Sequence, residues 1–340
     1  MTELIERAAA PDPRGETVEL SMQQAINRAL RVLLAEDPKV LVFGEDVGAL
    51  GGVFRVTDGL QKEFGEQRVF DTPLAESAIM GMAVGLAMNG LRPVPELQFD
   101  GFAYPAIDQI VNQVARMNYR TRGAAPMPIT LRLPSFGGIQ APEHHGESLE
   151  ALFAHTPGLK VVAPSDPAEA YSLLLQSVRS DDPIVYMEPK ARYWDRRPFR
   201  PSEPTDPIGT SRIVRPGRHA TLVAWGAMVH KCVQVAELAA EDGVELEVLD
   251  LRWLKPIDAA GLAASVSRTK RAVVVHEAPL TAGLGAEVAT LITDGCFREL
   301  AAPVQRVTGF DVPYPAGPLE SQYLPTIDRV LLAVQRTLEY

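Results

Sequence analysis

Two kinds of apolar pattern alternate along this chain. Short runs rich in Val, Ile, Leu and Phe are typical of buried strands, and longer stretches with apolar residues three or four apart are typical of amphipathic helices. The first part of the chain predicts strands at residues 40–43, 68–71, 94–99, 128–133, 159–163 and 184–188. It predicts helices at residues 21–36, 73–89, 105–120, 149–155 and 167–180. This order is typical of an α/β fold, with parallel sheets covered by helices on both faces.

A proline-rich segment interrupts the alternation. Pro198, Pro201, Pro204 and Pro207 are spaced so that they deny helix hydrogen bonds and favour an extended connector. Beyond it we predict strands at residues 220–225, 245–251, 272–276 and 304–307, with helices at residues 229–241, 258–269, 285–294 and 325–338. The predicted organisation is a flexible tail at residues 1–17, a doubly wound domain at 18–196, a linker at 197–210 and a smaller α/β domain at 211–340.

Composition narrows the function classes. A chain of 340 residues with 46% hydrophobic residues can bury more than one core, and its formal charge of -10 offers no positive excess for a phosphate backbone. Two cysteines, Cys232 and Cys296, are too few for a disulfide framework, which favours a reducing cytoplasm. The most apolar run, residues 79–88, falls well short of the ~20 residues that cross a bilayer. We therefore expect a cytoplasmic protein that binds neither nucleic acid nor membrane.

The segment at residues 68–90 carries the densest candidate chemistry, a strand running into a helix with Glu76 in its first turn. An acid there can simply complement the helix dipole. With Thr72 as N-cap, however, a capping box would place its acid one residue before Glu76. Glu76 also shares a helix face with Met80 and Ala83, which predicts a carboxyl directed along an apolar stripe. Burial there would favour the protonated carboxyl and suit it to share a proton with a ring nitrogen.

Two glycine patterns each have a structural and a functional interpretation. Gly81 and Gly85 allow close backbone approach, either in tight packing or at a subunit contact. The run GLGAEV at residues 283–288 begins like a dinucleotide fingerprint but has Val where the last small residue belongs. Because it also starts several residues after its strand, we interpret it as the entry of a helix.

The loop GGIQAPEHHGES at residues 137–148 places His144 and His145 next to each other after a strand. They can be ordinary loop residues. Metal binding would need a neighbouring glutamate, because no further His or Cys falls at ligand spacing. A hydrolase site built on Ser148 would lack the G-x-S-x-G elbow. The remaining interpretation is a histidine that shuttles protons near neutral pH.

Ordered motifs cover nearly the whole chain after residue 18. They are GEDVG at 44–48, GGVFRVTDGL at 51–60, DTPLAES at 71–77, PELQFDGFAYPAIDQI at 95–110, HHGES at 144–148, AHTPGLKVVAPSDPAEA at 154–170, MEPKARYW at 187–194, AWGAMVH at 224–230 and HEAPLTAGLGAEV at 276–288. Together they resemble the beta subunits of the decarboxylating component of 2-oxoacid dehydrogenases. The resemblance implies a thiamine-diphosphate-binding α/β fold, in which a pyrimidine-binding domain like that of transketolase precedes a transketolase C-terminal-like domain.

The resemblance also implies roles for individual residues. Glu76 matches the glutamate that pairs with N1′ of the aminopyrimidine and promotes loss of the thiazolium proton. His145 matches the active-site histidine assigned to proton transfer and to acyl transfer onto a lipoyl group. The residues that match the pyrimidine wall are Leu74, Gln98 and Phe102. Gly146 departs from the family pattern, which often has serine there, so the hydrogen bonding around His145 can differ.

The same resemblance implies partners. A 2-oxoacid would be decarboxylated, and the acyl group would pass to a lipoyl-bearing acyltransferase core. This cofactor class binds the diphosphate and Mg²⁺ through a G-D-G motif, yet a non-glycine precedes each Asp-Gly pair, at Asp58, Asp100, Asp242 and Asp294. We therefore expect an alpha subunit, in an α2β2 heterotetramer, to bind the diphosphate and Mg²⁺. No residue of this chain is predicted to ligate a metal, and whether it binds a structural K⁺ is an open question. The acidic balance is compatible with docking a small basic domain of the core.

Substrate choice rests on local likeness. DGFAYP at residues 100–105, the histidine pair and EPKARYW at residues 188–194 look more like bacterial branched-chain members, which favours 3-methyl-2-oxobutanoate and its relatives. A pyruvate or acetoin dehydrogenase beta subunit is the alternative among enzymes. A non-catalytic scaffold that keeps the fold and binds partners is the alternative of another class. The missing G-D-G motif disfavours a self-sufficient transketolase-like enzyme.

Overall fold

The computed structural model describes residues 17–340, so the predicted tail at residues 1–17 lies outside it except for its last residue. The strands of the first half are β1 (Val18–Ser21), β2 (Val40–Gly44), β3 (Val69–Asp71), β4 (Arg92–Glu96), β5 (Thr130–Ser135), β6 (Lys160–Val162), β7 (Ile184–Pro189) and β8 (Arg196–Phe199). Its α-helices are α1 (Met22–Glu36), α2 (Leu60–Phe64), α3 (Glu76–Met88), α4 (Met117–Arg120), α5 (Glu150–His155) and α6 (Pro167–Arg179).

The second half repeats the alternation. Its strands are β9 (Arg212–Arg215), β10 (Ala220–Ala224), β11 (Leu246–Asp250), β12 (Trp253–Lys255), β13 (Ala272–Pro279) and β14 (Gln305–Gly309). Its helices are α7 (Ala227–Glu241), α8 (Ala259–Thr269), α9 (Leu284–Cys296), α10 (Glu320–Tyr323) and α11 (Ile327–Leu338). None of the helices between residues 17 and 340 is both long enough and apolar enough to cross a membrane.

Two main sheets organise these elements. The first has seven strands in the order β12-β6-β7-β5-β4-β2-β3, all parallel except that β12 runs antiparallel to β6. The second has five strands in the order β14-β13-β10-β11-β9, with only the edge strand β9 antiparallel. The predicted α/β fold with parallel sheets is confirmed, because continuous apolar runs are what strands covered on both faces require.

The two halves share a core. One cluster of buried side chains runs from Phe43 and Met80 under the first sheet to Val274 and Val288 in the second half. The opposite face of the first sheet is covered by α1 and α6, whose apolar sides pack together. Helix α1 begins at a capping box, in which Ser21 accepts from the Gln24 backbone and the Gln24 side chain accepts from the Ser21 N–H.

Two expectations need correction. The helix predicted at residues 105–120 is instead a 3₁₀ helix (Asp100–Ala106), a π-helix (Gln109–Val114) and then α4. A proline within the 3₁₀ turns and the shifted hydrogen bonds of the π-helix prevent one regular α-helix. Part of the predicted connector, β8, pairs antiparallel with β1, so the extended backbone favoured by the prolines is part of a two-stranded sheet.

Candidate active site

The carboxyl ends of three neighbouring strands gather the first group of candidate residues. Strand β2 lies between β3 and β4 in a parallel arrangement. Glu45 follows β2, Gln98 follows β4, and Glu76 begins the helix that follows β3. Because parallel strands end at the same edge of a sheet, the fold brings these side chains to one edge, and α/β folds usually bind ligands in the crevice outside that edge.

The buried carboxyl in this crevice is Glu45, which the sequence did not single out. It is 8% exposed, and its Oε1 has no hydrogen-bond partner among residues 17–340. Burial raises the pKa of Glu45, and the neighbouring Glu76, Asp46 and Glu96 raise it further. Glu45 therefore takes up a proton more readily than an ordinary carboxyl, directly beside Glu76. The only sequence signal for it is an acid placed immediately after a buried strand.

Glu76 itself is only half-buried. The prediction that its carboxyl is buried along an apolar stripe is therefore wrong for the isolated chain. The reason is that Glu76 is the first residue of α3, with Ala75 rather than Thr72 as N-cap. Its side chain lies at the helix end beside Glu45, while Met80 and Ala83 of the same helix are buried in the core. An acid at that end also complements the positive end of the helix dipole.

Leu74 and Gln98 lie in the segments that follow β3 and β4. Leu74 belongs to the loop between β3 and α3 and is 80% exposed, which is unusual for so large an apolar side chain. Gln98 donates from Nε2 to Asp46 Oδ2 at 2.9 Å and to the Glu45 carbonyl at 3.4 Å. The amide of Gln98 is thereby fixed against the segment that carries Glu45.

His145 and Phe102 form a second group with Phe99. The imidazole of His145 lies edge-on to Phe99 at 4.4 Å and to Phe102 at 5.0 Å between ring centroids. Its Nδ1 lies 2.8 Å from the carbonyl oxygen of Glu143. Because a carbonyl can only accept, Nδ1 must carry the proton, and a neutral His145 presents the lone pair of Nε2. That is the tautomer a general base needs.

The two groups are joined through the backbone at residues 98–99. No hydrogen bond within residues 17–340 connects Glu76 directly to His145. Near Phe99 lie two further charged residues that were not predicted as site residues, Asp100 and Lys190, both fully buried. Lys190 Nζ lies 3.6 Å from Asp100 Oδ1 and 5.6 Å from the centre of the Phe99 ring.

Asp100 binds the backbone just before the loop at residues 137–148, which we call the histidine loop. Its Oδ2 accepts the backbone N–H of Phe136 at 3.1 Å. Burial raises the pKa of Asp100 to about 7, against the opposing effects of Lys190 and the Phe136 N–H. Burial lowers the pKa of Lys190, and Asp100 is the main group that opposes this. Local sequence gives no sign of such burial, because charged residues are usually solvated.

Arg132 links the strands whose ends carry these residues. It is fully buried on β5 and binds Glu188 through two nitrogens, at 2.7 and 2.9 Å, while a third nitrogen contacts Glu96. The phenol of Tyr193 donates to Glu188 at 2.6 Å. This bidentate pairing fixes the ends of β4, β5 and β7 relative to one another.

The structure also tests the competing interpretations of the loop and the glycines. No cluster of three or more His, Cys, Asp and Glu side chains suited to a metal ion occurs in the described part of the chain. Ser148 Oγ is buried without a hydrogen-bond partner there, so it makes no Ser–His pair. Gly283 and Gly285 pack against the ring of His276 where α9 begins, as expected for a helix entry. A Cβ on Gly85 would meet nothing within 4 Å, so tight packing within the chain does not explain that glycine.

Comparison with known proteins identifies the family to which this chain belongs. The family model "Transketolase, pyrimidine binding domain" matches residues 18–194, and "Transketolase, C-terminal domain" matches residues 209–330. The pyruvate dehydrogenase E1 component subunit beta of Leifsonia xyli subsp. xyli is 52% identical over 99% of this chain and 100% of its own length. The 3-methyl-2-oxobutanoate dehydrogenase subunit beta of Mycobacterium tuberculosis (strain ATCC 25618 / H37Rv) is 50% identical, covering 99% of each chain. This chain belongs to the 2-oxoacid dehydrogenase E1 beta-subunit family.

A solved structure supports the fold of this E1 beta-family chain. A protein described as "split gene transketolase, inactive beta4 tetramer" aligns with a TM-score of 0.77 at 26% identity, covering 94% of this chain and 98% of its own. The predicted resemblance and the predicted succession of two transketolase-like α/β folds are therefore confirmed. The catalytic and cofactor roles of Glu76, His145, Leu74, Gln98 and Phe102 stay predictions.

Proposed function

We propose that this chain is the beta subunit of a thiamine-diphosphate-dependent branched-chain 2-oxoacid dehydrogenase, 3-methyl-2-oxobutanoate dehydrogenase, and that it works only with an alpha subunit. The observation that carries the proposal is the placement of Glu76 at the start of α3, beside the buried carboxyl of Glu45. Similarity over nearly the full length to beta subunits of such dehydrogenases supports the reaction class.

The residues around Glu76 fit one end of thiamine diphosphate. Glu45 Oε1 and Thr72 Oγ1 are both buried without a hydrogen-bond partner among the described residues. Leu74, in the same loop as Thr72, leaves its apolar side chain exposed, and the partly exposed ring of Phe102 follows β4 in the chain. A carboxyl pair with spare polar atoms and apolar neighbours suits an aromatic ring that carries nitrogen donors and acceptors. When bound, thiamine diphosphate would supply the electron sink for decarboxylation.

This chain's own residues would manage protons and exclude water. Glu76 would exchange a proton with N1′ of the aminopyrimidine. Glu45, whose pKa is raised beside it, would hold a proton near Glu76. His145, with its proton on Nδ1, would accept or return a proton at Nε2 during acyl transfer to a lipoyl group. Phe99 and Phe102 would fix the imidazole between their edges and keep its surroundings apolar.

The proposal requires a second chain for the charged half of the cofactor. The sequence has no G-D-G motif, and the structural neighbour described as a beta4 tetramer is described as inactive. We infer that an alpha subunit supplies the diphosphate and Mg²⁺ contacts in an α2β2 heterotetramer, and that a lipoyl-bearing acyltransferase core accepts the acyl group. A structural K⁺ and the cytoplasmic location remain predictions from the sequence.

Replacement of Glu76 by Gln tests the catalytic assignment. Gln keeps the size but cannot accept the pyrimidine proton, so we expect decarboxylation to fall at least about a hundredfold. Carbon dioxide release is measured with the assembled alpha–beta protein, whose mass is checked by analytical ultracentrifugation. Glu66→Gln, an exposed acid before β3, is the matched control and should retain activity. Full activity of Glu76→Gln in an intact assembly would refute the assignment.

Two further measurements test the remaining parts of the proposal. Calorimetry with thiamine diphosphate and Mg²⁺ should show tight binding by the alpha–beta assembly and not by the beta chain alone. Values of kcat/KM for 3-methyl-2-oxobutanoate and pyruvate, obtained with the matched alpha chain, decide the substrate. Faster turnover of pyruvate would favour the alternative, a pyruvate dehydrogenase beta subunit, which the relative at 52% identity supports. A complex that assembles but turns over no 2-oxoacid would instead indicate a scaffold.

A further inference from the structure

The loop that carries His145 is held by carboxylates from the second half of the chain. Gly137 donates its backbone N–H to Glu277 Oε2 at 2.8 Å. Gly138 and Gln140 donate theirs to the two oxygens of Glu320, at 2.7 and 2.8 Å. Glu277 and Glu320 are each 3% exposed. Three successive anchors of this loop therefore depend on two buried side chains more than 130 positions further along the chain.

Tyr314 completes this attachment. Its phenol donates to Glu320 Oε1 at 2.5 Å, so Glu320 accepts three hydrogen bonds in all. Burial, followed by the bond to Glu320, raises the pKa of Tyr314, which keeps the phenol a donor. Two oxygens that satisfy three donors in a buried setting form a strong and geometrically specific contact.

The ring of Tyr314 also fills the space next to the active-site histidine. A Cβ built on Gly146 would overlap the ring, with three ring carbons among its nearest atoms. A Cβ built on Gly137 would overlap the phenol oxygen of the same residue. Tyr314 thus lies against both ends of the loop. Glycine at position 146, where serine is frequent in the resembled family, is explained by the ring that occupies its side-chain space.

We propose that Glu320 and Tyr314 are positioning residues for His145: together they set the conformation of the loop at residues 137–146, and so the place of the imidazole. This inference rests on the proposed role of His145 in acyl transfer. Neither residue belongs to the group around Glu76, which lies at the ends of β2, β3 and β4. Loosening the loop should therefore impair acyl transfer and leave the binding of the pyrimidine end unchanged.

Glu320→Gln is the principal test, made in the assembled alpha–beta protein with a free lipoyl domain as acceptor. Gln turns one acceptor oxygen into a donor that faces backbone N–H groups, so the loop loses at least one of its two bonds to position 320 and keeps the bond between Gly137 and Glu277. We expect acylation of the lipoyl domain to fall at least about tenfold, because small misplacement of a catalytic group is costly. Thiamine diphosphate affinity should change less than about twofold. Glu299→Gln, an exposed acid of the same half, is the control.

Tyr314→Phe keeps the ring and removes only the bond to Glu320, so it provides a second test if Glu320→Gln does not fold. A third variant, Gly146→Ser, should lose acylation because its side chain meets the Tyr314 ring, and Gly146→Ser with Tyr314→Ala should regain part of it. The inference is overturned if the Glu320 and Tyr314 variants acylate at the wild-type rate, or if cofactor affinity and acylation fall together. A wild-type assembly that acylates no lipoyl domain would instead contradict the proposed function.

Discussion

Glu150 is expected to make the stability of this protein fall with rising pH. It begins α5, directly after the histidine loop, and its carboxyl is fully buried with no hydrogen-bond partner for either oxygen among residues 17–340. Burial raises the pKa of Glu150 to about 8, with smaller contributions from Glu277 and Asp100. Burial lowers the pKa of the neighbouring His276 to about 3, so at neutral pH both members of this pair are uncharged.

The magnitude follows from linkage between protonation and folding. A carboxyl with a raised folded pKa binds its proton more tightly in the folded chain, so stability falls as pH rises from 4.5 to about 8. Each tenfold step in proton affinity is worth about 1.4 kcal/mol, which gives a total of roughly 5 kcal/mol over the window. About 2 to 3 kcal/mol of this loss falls between pH 6 and pH 9.

Glu150→Gln removes this ionisation and keeps the side-chain volume. We expect the free energy of unfolding of Glu150→Gln, relative to wild type, to improve by about 2 to 3 kcal/mol between pH 6 and pH 9. Urea denaturation followed by circular dichroism at both pH values measures it. Glu299→Gln, an exposed acid in the second half, should show no such change. The same difference between Glu150→Gln and wild type at both pH values would refute the argument.

Two further substitutions test the support of the crevice and of α5. Arg132→Met leaves Glu96 and Glu188 buried without their cation, so we expect a loss of about 3 to 5 kcal/mol in urea denaturation, smaller in acid where the carboxyls protonate. Gly158→Ala introduces a Cβ that overlaps the carbonyl of Ala115 at a φ of +99°, so thermal denaturation should show a clear destabilisation. Unchanged midpoints would contradict either expectation.

Much of the fold could be predicted because its central strands are apolar on both faces. Strands such as β2 and β7, with every residue buried, stand out as continuous runs. Two edge strands of the main sheets escaped prediction: β9 is mostly exposed, and β12 is only three residues long. Their pairing is set by the neighbouring strand rather than by their own pattern.

The candidate site was predictable where chemistry follows directly after a predicted element. Glu76 was singled out because it lies in the first turn of a helix that follows a predicted strand, and His145 because it belongs to a histidine pair in a loop after a strand; Gln98 was assigned only through the family resemblance. Asp100 and Glu320 were missed, since a charged residue gives no local sign that it will be buried. Glu320 and Gly138, which are hydrogen-bonded, lie 182 residues apart in the sequence. Local patterns of apolar and polar residues cannot predict a contact between such distant positions.

Strand β12 has a consequence for how the chain is made. It covers the edge of β6, yet β6 ends at residue 162 and β12 begins only at residue 253. While a ribosome synthesises the intervening residues, the edge of β6 stays open to pairing with strands of neighbouring nascent chains. Expression that halts or is truncated within that interval should therefore yield aggregates, and slow translation there should increase the demand for chaperones.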